Sequence, residues 1–258
     1  MIFSFAQLEI FLLILARILG LFSAAPIFSS KSLNGMAKTA LAIWITSVLW
    51  FAVPVQPDKL PSTLIALAIA LISEVALGFL LGFLTNTIFI AIQAAGEIMD
   101  LQMGLSVASS FDPLFGATIS IIGRLAFYIA LLVFLLANGH HMLLSVIHQS
   151  FKIIPPGSLI NVLSPLLTMQ LLSLIKDFWI IAIQLAGPIV LLIFLSDFAF
   201  GIVSRVAPQV NVFQLGFQVK PSLGLIGLVF TMSIFARHIE NLIGTMAEGM
   251  LKMLMVLR

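Results

Sequence analysis

Four ionisable side chains, Glu9, Arg17, Glu74 and Asp197, stand within or beside long apolar runs of this 258-residue chain. A charge at the centre of a membrane helix costs roughly 2.5–3.5 kcal/mol on insertion scales, so each needs either a function or a partner. The functional reading is a proton relay or a site for an ion or small solute. The structural one, which these residues favour, is pairing with another helix or a neighbouring subunit. Glu9 and Arg17 are about two turns apart on one face, too far to touch and suited to separate partners. Three histidines, His140, His141 and His148, invite comparison with a metal site, and His141 and His148 share a helical face. Adjacent histidines point in different directions, however, and no carboxylate lies within a turn or two, so a polar helix end after Asn138-Gly139 fits better. No metal, cofactor or catalytic residue is expected. The chain has no cysteine, which excludes thiol catalysis and Cys-ligated metal.

The stretch from Gly96 to Gly116, GEIMDLQMGLSVASSFDPLFG, differs from its surroundings. It carries Glu97, Asp100 and Asp112, and its apolar part from Leu101 to Phe111 is too short to span a bilayer. Gly104, a run of small residues and Asp112-Pro113 are poor material for one regular helix. Irregular backbone at membrane depth is tolerated only where it is buried in protein or lines a cavity, so 96–116 reads as a re-entrant loop at a pore or an interface. Phe111, Leu114 and Phe115 would form a soft apolar constriction there, closing a conduit by dewetting. A plain loop outside the membrane is the alternative. The second dense stretch, Asp197 to Pro221, mixes a helix-ending Ala207-Pro208 with Gln209 and Asn211. It reads as a helix followed by a turn, with no nucleophile, phosphate loop or acid/base pair.

The elements that must position these residues follow from composition. The chain is 61% hydrophobic and 9% charged, with a mean hydropathy of +1.22, and 22 Lys, Arg, Asp and Glu side chains cannot cover a soluble surface. It is a membrane protein or part of a large apolar assembly. The basic residues are scattered singly, which leaves no nucleic-acid footprint. Apolar segments long enough to span occur at 39–57, 75–96, 125–151, 153–175 and 178–196, joined by 10–28 and 221–236, so six or seven are expected. Segment 158–175 is more polar than the rest, and Gly187-Pro188 should kink the helix that contains it. Lys and Arg counted in alternate loops come to five on one side and six on the other, so the positive-inside rule gives no orientation. The N-terminus lacks the basic region of a signal peptide, and the first segment is expected to be retained.

Several blocks together carry a family resemblance: Arg17 with Ala25-Pro26; Gly96-Glu97 and Gln102-Met103-Gly104-Leu105-Ser106 before Asp112-Pro113; Asn138-Gly139-His140; and Arg205-Val206-Ala207-Pro208-Gln209-Val210-Asn211-Val212-Phe213 with Gly216-Phe217. The chain resembles the FliR/SctT family of type III secretion export-gate proteins. The resemblance implies an all-α export-gate subunit occupying 1–258 as one domain, with kinked helical hairpins, a FliP-like part followed by a FliQ-like hairpin, and a re-entrant plug loop at 96–116. It implies FliP and FliQ as partners, contact with FlhB, and unfolded protein substrates, in the bacterial inner membrane at the flagellar basal body. The plug would be Phe111 and Phe115, then Leu114, with Met103 beside them. With no hydrophilic C-terminal domain, a fusion to FlhB is not expected. A secondary transporter using Glu74 or Asp197, and an intramembrane enzyme using His140, His141 and a carboxylate, are the rival readings.

Overall fold

The computed structural model describes residues 5–29, 34–53, 61, 63–106, 120–158, 160 and 164–257. All regular structure among them is helical: α1 Phe5–Ala24, α2 Pro26–Ser29, α3 Gly35–Trp50, α4 Leu64–Met103, α5 Ile121–Leu136, α6 Gly139–Ile153, α7 Pro165–Val206 and α8 Val212–Leu257. The all-α expectation holds. Local chemistry sets several helix ends. Pro26 opens α2, where its missing N–H costs nothing. The side chains of Asn34, Ser120 and Asn211 accept amide hydrogens from the first turns of α3, α5 and α8. Asn138, at φ 56°, is the one non-glycine residue in the left-handed region among those described, and it separates α5 from α6.

Helix lengths revise the segment count. Three helices, α4, α7 and α8, have 40, 42 and 46 residues. At 1.5 Å per residue each is about twice as long as a 30 Å hydrocarbon core is thick. These three and α1 are long and apolar enough to cross a membrane, and α5 with α6 makes a fifth span if counted as one broken helix; α3, with 16 residues, is shorter. Hydropathy separated 153–175 from 178–196 at Lys176 and Asp177, yet α7 joins 165–175 to 178–196 without a break, because a helix satisfies its backbone internally whatever its side chains. It also runs through Gly187-Pro188 without interruption, so the proline falls inside one helix and does not divide it. The Asp197–Pro221 stretch is the expected helix end and turn, although α8 then continues far past Arg237.

The described chain gathers into two compact units, one of 1–87, 138–174 and 243–258, the other of 88–137 and 175–242. In the first, α1 and α4 touch backbone to backbone. A β-carbon on Gly78 would overlap the Arg17 carbonyl, one on Gly20 the Val75 carbonyl, and one on Gly82 would crowd Leu21 and Ala25. Small residues thus bring two helices close where no aqueous driving force operates. Leu13, Ile14, Ile18, Leu21, Leu77 and Leu81 are fully buried around this seam. In the second unit Gly96 lies against Gly123, Gly224 against the Met103 side chain, and Gly227 against Leu192. Phe89 packs edge-on to Phe127 and Phe134, with ring centroids 5.9 and 5.5 Å away.

Gly244, by contrast, has nothing within 4 Å of where its β-carbon would sit. Gly78→Ala is expected to lower stability by about 1–3 kcal/mol through overpacking. Gly244→Ala should be neutral or stabilise by up to about 1 kcal/mol through helix propensity. Unfolding midpoints in mixed detergent–SDS micelles compare the two.

Candidate functional site

Arg17 is wholly buried in the first unit, and each of its three guanidinium nitrogens donates a hydrogen bond. Nε donates to Glu74 Oε2 at 2.5 Å, Nη1 to Ser150 Oγ at 2.9 Å and Nη2 to the Ile154 carbonyl at 3.0 Å. The Phe151 ring lies 4.2 Å from the guanidinium carbon, a cation–π contact. The other Glu74 oxygen accepts the Gly157 N–H at 3.0 Å, and Ser150 passes its own hydrogen to the Ile147 carbonyl at 2.7 Å. One buried ion pair therefore joins α1, α4, the last turn of α6 and the turn at Pro155–Gly157, where Gly157 has φ 82°. Pairing with other helices, favoured from sequence, is what the structure has. Both Glu74 oxygens thus accept hydrogen bonds within the unit.

Asp197, the other candidate for the transporter reading, meets the Lys220 ammonium at 2.5 Å in the second unit, with both side chains partly exposed. The pair borders a cleft of about 560 Å³ formed by the end of α4, the last turns of α7 and the first turns of α8. Gln102, Gly104, Phe200, Phe213 and Phe217 also line it. Glu9 is buried without an ion pair among the described residues. His140 and His141 lie side by side at the start of α6, their ring centroids 4.3 Å apart and their planes tilted by 42°.

The 96–116 boundary needs correction. Gly96 through Met103 continue α4, and the backbone turns only at Gly104, φ 79°. Gly96 is present because α5 approaches it, which leaves no need for a helix break there. Exposed Glu97 accepts from Gln93 at 2.9 Å and lays its Cγ toward Gly123. Met103 is fully buried against Gly224, and Phe217 faces Gly104. Phe111, Asp112, Pro113, Leu114 and Phe115 lie outside the described residues. At the far end Ser120 caps α5, its Oγ accepting from Gly123 at 2.8 Å. Among the other motif residues, Pro26 is buried at the α1–α2 junction, Arg205 occupies the last turn of α7, and exposed Pro208, Gln209 and Asn211 form the turn to α8. Sequence spacing does not single out Ser150, Phe151 and Ile154 as partners of Arg17, or Gly157 as a partner of Glu74. The only hint was a serine near the end of an apolar run before Pro155-Pro156-Gly157.

These features define an all-α, multi-pass membrane protein organised around a buried ion pair, with glycine-mediated helix contacts. The family described as "Bacterial export proteins, family 1" matches residues 8–246, and the chain belongs to it. The chain is 32% identical to the flagellar biosynthetic protein FliR of Bacillus subtilis, over 95% of this chain and 94% of that one. It is 33% identical to FliR of Escherichia coli, over 88% and 86%. It is 30% identical to the surface presentation of antigens protein SpaR of Salmonella typhimurium, over 84% and 81%. Membership in this family and the apolar helices of spanning length make it a multi-pass inner-membrane protein of a bacterial export apparatus.

Leaving one buried charge unpaired costs about 3–5 kcal/mol. Glu74→Gln and Arg17→Met are each expected to lose that much, whereas Asp197→Asn, at a partly exposed pair, should lose less than about 1 kcal/mol. The same micelle unfolding assay ranks the three.

Proposed function

We propose that this protein is a non-enzymatic core subunit of the flagellar type III protein export gate, joining FliP and FliQ subunits in a conduit for unfolded flagellar proteins and contacting FlhB. The observation that carries this reading is similarity across nearly the whole chain to proteins named for flagellar biosynthesis. The α7–α8 pair would be the FliQ-like hairpin and the preceding helices the FliP-like part. Supporting this, the most apolar windows of α7 and α8 are only 28% and 11% buried within the chain, which leaves broad apolar faces for sister subunits as well as lipid. No feature of a nucleotide site is present in the sequence, so the energy for export comes from other components.

The plug of this gate is assigned to Phe111, Phe115 and Leu114, with Met103 at its root. Bulky apolar side chains exclude water and ions from a narrow conduit, and their non-specific contacts yield to passing polypeptides of many sequences. Two observations support this: α4 stops at Met103-Gly104, and α5 starts from a capped Ser120, so defined helix ends bracket the segment.

Phe111→Ala combined with Phe115→Ala, in cells expressing the whole gate, is expected to raise ion leakage across the inner membrane and alter export of hook protein. Unchanged leakage together with unchanged export would refute the plug assignment. Co-purification with FliP and FliQ homologues tests the assembly itself.

A further inference from the structure

The first amide of α5 finds its acceptor 21 residues upstream. The opening N–H groups of a helix have no partner inside it. In α5 the Ser120 side chain takes the Gly123 N–H, and the Ser120 carbonyl takes the Arg124 N–H at 3.1 Å, which begins the helical ladder. Of the remaining opening amides, that of Ile121 donates to Asp100 Oδ2 at 3.1 Å. Asp100 is 2% exposed, one turn before the end of α4, and its second oxygen is buried without a hydrogen-bond partner among the described residues. An anionic side chain at the positive end of a helix is favourably placed. The backbones of α4 and α5 also meet one turn away, where a β-carbon on Gly96 would clash with Gly123. A carboxylate kept in an apolar interior with only one of its oxygens bonded is costly, so its role is to be sought in the one bond that it makes.

We propose that Asp100 is a positioning residue, acting as the remote cap of α5 and fixing the end of α4 to the start of α5. It thereby sets the separation of the two ends of the segment between them. Among the described residues this side-chain clamp is one charge-assisted hydrogen bond, which a small displacement can break. Glu97, the nearest other carboxylate on the same helix, faces Gln93 and Gly123 and does not substitute for Asp100. The consequence for leakage rests on the plug reading; the clamp does not.

The test is hydrogen–deuterium exchange of peptides covering 120–125 in the purified full-length protein, beside ion leakage in cells expressing the whole gate. Asp100→Ala should speed exchange at the α5 N-terminus roughly tenfold, the loss expected for a charge-assisted hydrogen bond. The isosteric Asp100→Asn keeps a neutral, weaker acceptor and should show a smaller rise, by a factor of about three. A loss confined to 120–125, with exchange elsewhere unchanged, separates positioning from general unfolding. If Asp100→Ala fails to accumulate, Asp100→Asn decides alone. Exchange at 120–125 equal to the parent in the variants that accumulate would overturn the proposal. Faster exchange with unchanged leakage would uphold the clamp and refute the plug reading; faster exchange with raised leakage would support both.

Discussion

A guanidinium with no exposed surface dictates the arrangement of the first unit. Desolvating Arg17 is affordable only because Glu74, Ser150 and the Ile154 carbonyl accept from its three nitrogens and Phe151 lies against it. Those partners come from residues 57 to 137 positions away, so the group acts as a long-range constraint on the chain. Helix α1 cannot rotate about its axis, nor α4 slide along it, without leaving a charge bare. The Gly20, Gly78 and Gly82 contacts enforce the same register by shape, since α1 and α4 fit at that separation only where β-carbons are missing. Charge and steric fit therefore select one packing, and each would be poorly specified without the other.

In the second unit, shape carries most of this burden. Gly96 against Gly123, Met103 against Gly224, and Gly227 against Leu192 draw the helices together, and the aromatic group around Phe89 fills the space between α4 and α5. Among the described residues the polar links between its helices are few: the partly exposed Asp197–Lys220 pair and the bond that Asp100 accepts from Ile121. A region held mainly by shape, with the Asp100–Ile121 bond at a helix end, can rearrange at that end while its core stays packed.

The comparison between sequence and structure is most instructive at Gly96. Read along the chain, a glycine followed by two carboxylates within five residues looks like the start of a loop. In three dimensions it lies mid-helix, and its missing side chain serves the approach of α5. At Gly104 the same residue type does end a helix, with φ 79°. Sequence cannot distinguish these two uses of glycine, because one depends on a partner more than twenty residues away. The stretch at 197–221 was read correctly as helix and turn because Ala207-Pro208 and Asn211 act on their immediate neighbours.

What the sequence determined by itself was whatever depends on composition and nearest neighbours. An apolar, charge-poor chain had to lie in a membrane or in a large apolar assembly, and its long apolar runs suit helices, which satisfy the backbone within one segment. Motif blocks spread from Arg17 to Phe217 carried the family. The tertiary structure decided which charges meet. It matched Arg17 to Glu74 and Ser150, gave Asp197 to Lys220, and left Asp100 with one amide of α5. It also decided how many helices there are, by running α4, α7 and α8 through positions where hydropathy would have cut them. The reason is common to both: side-chain partners and helix ends are settled by contacts between distant parts of the chain, and one-dimensional spacing does not contain those contacts.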